Sequence, residues 1–150
     1  MGFYRGPNIV TDNLKFALDA GSERSYSGTG TTSYNIINKE TGTLNNNVSF
    51  DSTYGGFFEF DGVDDYIDLG NIYDDLVLPV SISAWVYLEK NEFCPIFTSQ
   101  DNSPTYNGFQ FVVGPITISM EYGDGRGEGI PYFRRSKNVV IPNILNNDHY

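Results

Sequence analysis

The chain has 150 residues and a formal net charge of −10, from 9 Lys and Arg against 19 Asp and Glu. Phosphate binding needs clustered cations, so this balance excludes an electrostatic grip on nucleic acid. No run of 18 apolar residues occurs, which excludes a membrane-spanning helix.

At this length one domain with a substantial core is expected. Hydrophobic residues make up 39% and aromatic residues 15%, with 11 Phe and 11 Tyr. Ring-rich apolar content favours strands. Sixteen Gly and seven Pro supply the punctuation that many short strands require. Helix-period patterns are lacking, so the class read from the sequence is all-β. Cys94 is the single cysteine, which rules out an internal disulfide. Its neighbours Phe93, Pro95, Ile96 and Phe97 point to a buried, inert thiol. Met1 to Arg5 lacks the apolar core of a signal peptide and the Ser or Thr of a myristoylation signal.

In chain order, residues 1–13 read as a polar N-terminal arm, with Gly6-Pro7 as a hinge, and 14–150 as the domain. Leu14 to Asp19 alternates and is expected to be the first strand. Ala20 to Thr32, dominated by Ser, Gly and Thr, is loop. Thr43-Leu44 and Val48 to Phe50 are short strand candidates separated by Asn45-Asn46-Asn47. Phe57 to Phe60 and Tyr66 to Leu69 are expected to form a hairpin closed by Asp61-Gly62-Val63-Asp64-Asp65. Val80 to Leu88 has the two-residue period of a strand. Val80, Ile82, Ala84, Val86 and Leu88 share one face, and Ser81, Ser83, Trp85 and Tyr87 the other. Pro95 to Ser99 is a further strand, followed by a loop from Gln100 to Asn107. Gly108 to Val113 and Ile116 to Tyr122 form an expected hairpin around Gly114-Pro115, with Phe109, Phe111, Val113, Ile116, Ile118 and Met120 inward. The glycine-rich run from Gly123 to Gly129 reads as loop, without the Lys-Ser/Thr ending of a phosphate loop. Arg134-Arg135-Ser136-Lys137 reads as a solvated loop, and Val139 to Ile141 as the last short strand. No compositional break divides the chain.

FEFDGVDDYIDLG at Phe58 to Gly70, followed by SISAWVYL at Ser81 to Leu88, resembles the laminin-G-like, concanavalin A-like jelly-roll superfamily. The opening from Gly6 to Leu14, then Leu18-Asp19-Ala20-Gly21 and Ser25 to Thr32, resembles the version of this domain in tailed-phage virion proteins. Ser33 to Gly42 departs from that pattern. The resemblance implies an antiparallel β-sandwich of jelly-roll type. It also implies further strands beyond Asn146 to Tyr150, so the domain is expected to be incomplete at its C-terminal end and to pair with another copy or another protein. The fold hosts lectins, enzymes, adhesins and structural parts, so function must be argued from sites.

Glu59 and Asp61, at i and i+2, could share one strand face and begin the carboxylate pair of a retaining glycosidase. Asp64, the third member, lies beyond the turn and leaves the constellation incomplete. The competing reading is a solvent-facing Glu59 and a turn-forming Asp61, and no catalytic residue is assigned. Calcium takes six to eight oxygen ligands. Asp61, Asp64, Asp65, Asp74, Asp75, Asp101 and Asp124 are available, but they match no EF-hand pattern, and solvated loop carboxylates are the default. No cofactor is therefore expected, with calcium as the one weighed exception. Trp85 and Tyr87 suit stacking on a sugar face, but a lone Trp in a strand is more often core. Tyr26, Tyr34, Tyr54, Tyr73, Tyr106, Tyr122 and Tyr132 are better candidates for contact with protein or glycan. His149 is the single histidine, which leaves no catalytic Cys-His set and no zinc site. The expected function is a non-enzymatic structural or attachment part of a phage virion: a fibre, decoration or whisker component. It would bind other virion proteins, copies of itself or a host glycan. A secreted or cell-surface carbohydrate-binding module is the alternative, and a glycoside hydrolase the third reading.

Overall fold

The computed structural model describes residues 11–72, 79–89, 92–99, 107–124 and 134–141. The chain is all-β and its ladders are antiparallel throughout, the class of an antiparallel β-sandwich that the sequence predicts. It divides into two compact units, Met1–Leu78 and Pro79–Tyr150.

In the first unit β1 (Thr32–Tyr34), β2 (Thr41–Asn45) and β5 (Tyr66–Asp68) form one sheet in the order β1-β2-β5. β3 (Ser49–Asp51) and β4 (Phe57–Glu59) form a second. Asn46 and Asn47, both at positive φ, turn the chain from β2 into β3, a conformation asparagine tolerates through local side-chain bonding. The predicted hairpin of Phe57 to Phe60 with Tyr66 to Leu69 is not formed. Phe57, Phe58 and Glu59 pair with β3, with Phe50 opposite Phe58. Tyr66 to Asp68 pairs with β2, with Leu44 opposite Ile67. The residues between them are occupied by their own bonds: Asp61 Oδ1 accepts from the Val63 and Asp64 amides at 2.8 and 3.3 Å. That turn carries the chain from one sheet to the other rather than straight back.

Tyr26 sits at the centre of this unit. It is buried and bridges to Ser33 of β1. Its ring meets Phe50 and Phe58 edge-on, at 5.2 and 5.0 Å between centroids, a favoured geometry for aromatic pairs. Ile36 and Leu44 are buried in the same unit. Among the described residues, Leu14 to Asp19 makes no ladder, so the expected first strand is not formed there. Its backbone is engaged by Asn35: Ala17 N–H donates to Asn35 Oδ1 at 3.1 Å, and Asn35 Nδ2 donates to Lys15 O at 3.1 Å.

In the second unit β6 (Cys94–Thr98), β7 (Asn107–Val113), β8 (Thr117–Asp124) and β9 (Arg134–Val140) form a four-stranded meander. The predicted β7–β8 hairpin is present, with Val113 opposite Ile118 and Gly114 N–H donating to Thr117 O at 2.7 Å. Alternation places Phe109, Phe111, Val113, Ile118 and Met120 on one face, where Phe97 and Phe109 stack at 5.3 Å. Ile116, expected inward, is exposed, while Val112 and Ser119 of the opposite face are buried. Both faces of this sheet are thus partly covered. A shift in register between Pro95 and Phe97 puts these residues on opposite faces.

Three further expectations are corrected. Gly123 belongs to β8, not to a loop. The basic knot Arg134 to Lys137 is the first half of β9, which begins five residues before the predicted Val139 strand. Among the described residues, Val80 to Leu88 joins no ladder. Period-two alternation shows only that a segment can pair; a ladder also requires an open edge alongside.

Candidate functional site

The residues singled out from the sequence separate into three places. The first is the connection between β4 and β5. One carboxylate oxygen from each of Asp61, Asp64 and Asp65 lies within 4.8 Å of the other two. The Asp61 amide donates to Asp65 Oδ2 at 3.0 Å, and Asn46 Nδ2 donates to Asp64 O at 2.8 Å, tying this loop to the β2–β3 turn. Asp65 Oδ1 is buried with no hydrogen-bond partner among the described residues. Three carboxylates supply six oxygens if all bind bidentately, the lower limit for calcium. Two are already engaged: Asp61 Oδ1 by two amides and Asp65 Oδ2 by one. Asp74, Asp75 and Asp101 lie outside the described residues, and Asp124 ends β8.

Glu59 and Asp61 take separate partners. Ser49 Oγ donates to Glu59 Oε2 at 2.7 Å, across the β3–β4 pair in which Ser49 and Glu59 are direct partners. Glu59 therefore closes a cross-strand contact, and Asp61 closes a turn. These are the structural roles weighed against catalysis.

The second place is Ser81 to Leu88. Trp85 is 93% and Tyr87 74% exposed, which corrects the expectation that a lone Trp is core. Val86 is exposed beside them, and Ile82 and Leu88 are half-buried. The segment presents two exposed rings, Trp85 and Tyr87, with exposed Ser81 and Ser83 close by in sequence.

The third place is the set of tyrosines. Tyr54 is fully exposed at φ 52°, inside the 3-10 turn Thr53–Gly55. Tyr34 of β1 and Tyr122 of β8 are exposed at strand positions. Tyr26 is core, and its hydroxyl donates to Gly30 O at 2.7 Å. Its loop setting concealed this, because the hydroxyl is satisfied locally while the ring is buried. Tyr73, Tyr106, Tyr132 and His149 lie outside the described residues. Cys94 is half-buried, with its thiol 3.8 Å from Glu92 O.

Sequence reasoning missed the buried polar side chains of the first unit. Asn35 accepts the Ala17 and Ile37 amides on Oδ1. Ser25 Oγ donates to Tyr34 O at 2.8 Å and accepts the Asp19 amide at 3.1 Å. Ser33 Oγ donates to Gly42 O at 3.2 Å. The Ser- and Asn-rich loop composition was the visible signal, because such side chains satisfy backbone groups that strands leave over.

No protein-family model matches the chain. No curated protein matches it either. Among solved structures it is similar in fold to residues 221–444 of an S-layer domain-containing protein from Clostridium thermocellum. The TM-score is 0.58 at 17% identity, over 76% of this chain and 52% of that one. The chain therefore spans about half the length of that domain.

Proposed function

We propose that this chain is a non-enzymatic structural or attachment component of a tailed-phage virion, acting through exposed strand segments and sheet edges. The observation that carries this reading is the use made of its acidic residues. Glu59 is spent on Ser49 and Asp61 on two backbone amides, while Trp85 and Tyr87 stand out to solvent. Contact surface is what the chain offers. The resemblance of Gly6 to Leu14 and Phe58 to Leu88 to virion domains points the same way. A fold shared with a domain of an S-layer domain-containing protein agrees with a structural role. Mass spectrometry and immunogold labelling of purified particles test it. The expected result is the chain at a fixed copy number per particle; its absence from particles overturns the reading.

A carbohydrate-binding module is the second reading, favoured by the exposed pair Trp85 and Tyr87. A glycan array on the purified chain decides it: reproducible binding lost in Trp85→Ala supports the module, and no binding removes it.

A further inference from the structure

One face of the second unit's sheet holds a cleft built from neighbouring strand positions. Gln110 and Val112 stand two residues apart on β7, and Ser119 and Glu121 two apart on β8. That spacing puts each pair on one face. The register sets Gln110 opposite Glu121 and Val112 opposite Ser119, and Pro95 of β6 lies opposite Val112 on its other side. With Phe93, just before β6, these residues line a cavity of about 260 Å³. Sites for drug-sized ligands begin at roughly 300 Å³, so this one has room for a single small ring. Phe93 is 70% exposed. Its ring lies so close to the buried Gly114 that a Cβ there would fall 2.6 Å from Phe93 Cε1. The ring is thus seated on backbone while most of its surface stays open.

The polar groups of the cleft select its ligand. Gln110 Nε2 donates to Glu121 Oε2 at 2.9 Å. Ser119 is only 9% exposed, and among the described residues its hydroxyl has no hydrogen-bond partner. Buried polar groups are almost always bonded, and one left unmet is costly. The described lining residues include one carboxylate and no cation, so an anionic ligand would meet Glu121 with nothing to offset the repulsion. An ammonium group donates but cannot accept, so it would offer nothing to the second Gln110 N–H or to the Ser119 O–H. A ligand hydroxyl does both. Phe93, Pro95 and Val112 supply the apolar surface that the C–H face of a ring covers. We propose that this cleft binds a neutral sugar ring, stacked on Phe93 and hydrogen-bonded through its hydroxyls to Gln110, Ser119 and Glu121. The inference rests on the attachment role proposed above and deepens it by naming a ligand class, on residues other than Trp85 and Tyr87.

Amide-shift mapping by NMR on the full chain tests it. The probes are the methyl glycosides of glucose, galactose and mannose, with lysine methyl ester and glucuronate as charged controls. At least one neutral glycoside, at millimolar concentration, is expected to move the amides of Phe93, Gln110, Val112, Ser119 and Glu121 together. Phe93→Ala is expected to weaken that binding about tenfold through the lost stacking. Glu121→Gln keeps the shape and removes the charge, and is expected to weaken it about tenfold as well, because hydrogen bonds to a charged acceptor are the stronger ones. The amide spectrum of each variant shows whether it is folded, and the wild-type map decides without them. No shift at these amides with any neutral glycoside overturns the inference. So do larger shifts with either charged control, or undiminished binding in a folded Phe93→Ala. Binding lost in Trp85→Ala and kept in Phe93→Ala also overturns it, and assigns the sugar to the Trp85 surface instead. Particle incorporation is read separately, so an empty cleft leaves the virion assignment to its own test.

Discussion

Among the described residues, the most buried side chains of Met1–Leu78 are Ser25, Ser33 and Asn35, whereas in Pro79–Tyr150 the most buried is Val113. The first unit is built from three- and five-residue strands. Such strands leave many backbone groups outside any ladder, and small polar side chains reach in to satisfy them. The second unit is built mainly from ladders up to seven pairs long. Its backbone satisfies itself, and side chains are left to cover its faces, which they do only in part. A region of short strands is thus specified by buried hydrogen bonds, and a region of long strands by its ladder.

The sharpest way to break this comparison is Asn35→Leu. It strands the Ala17 and Ile37 amides and the Lys15 carbonyl. Unsatisfied buried groups cost about 1–3 kcal/mol each, so a loss of about 3 kcal/mol is expected in urea unfolding. Hydrogen exchange should show that loss in residues 14–45 first. A loss below about 1 kcal/mol would mean that these bonds do not specify the unit.

Gly56→Ala comes next. Gly56 has φ +100°, and a Cβ there would lie 2.8 Å from Gly21 Cα. A strained backbone of this kind costs about 1–3 kcal/mol, so a loss of about 2 kcal/mol is expected by the same measurement.

Val113→Ala probes the other unit. Val113 is 4% exposed, and removing two buried methyl groups costs about 0.8 kcal/mol each. About 1.5 kcal/mol is expected, read as exchange in β7 and β8. A value near that of Asn35→Leu would erase the contrast between the units.

Trp85→Ala is expected to change stability by less than about 0.5 kcal/mol, as at other exposed positions. A larger loss would show that Trp85 is packed.

The smallest effect belongs to Asp51. The Thr53 amide, donating to Asp51 Oδ1 at 2.6 Å, and then the Thr53 side chain hold this carboxyl below its usual range. A depressed folded-state pKa contributes stability above the unfolded pKa and loses it as pH falls through the folded one. Asp51→Asn should therefore differ slightly from wild type at neutral pH. The difference should shrink in acid, read as thermal unfolding midpoints between about pH 2 and 7.

Strand positions were legible wherever alternation ran beside turn residues. β5, β7 and β8 fall where two-residue periodicity placed them, and β4 and β6 fall on the short apolar segments read as strands. Pairing was not legible. Phe57 to Phe60 and Tyr66 to Leu69 look like a hairpin because neighbours in sequence usually pair, yet each joins a different sheet. The site residues were legible as types but not as partners: alternation could not tell that Glu59 would bond Ser49 and that Asp61 would bond the amides of its own turn. Leu14 to Asp19 and Val80 to Leu88 alternate as well, and among the described residues neither forms a ladder.

Side-chain periodicity along the chain is a local property, set by which residues stand on each face of an extended backbone. The all-β class, the turns at Asn46-Asn47 and Asp61 to Asp65, and the Gly114-Pro115 hairpin follow from it. Which edge meets which is not local, because every strand offers the same N–H and C=O groups. Long-range contacts alone choose among them, and they decided that Tyr26 is core, that Trp85 faces water, and that β4 and β5 join different sheets.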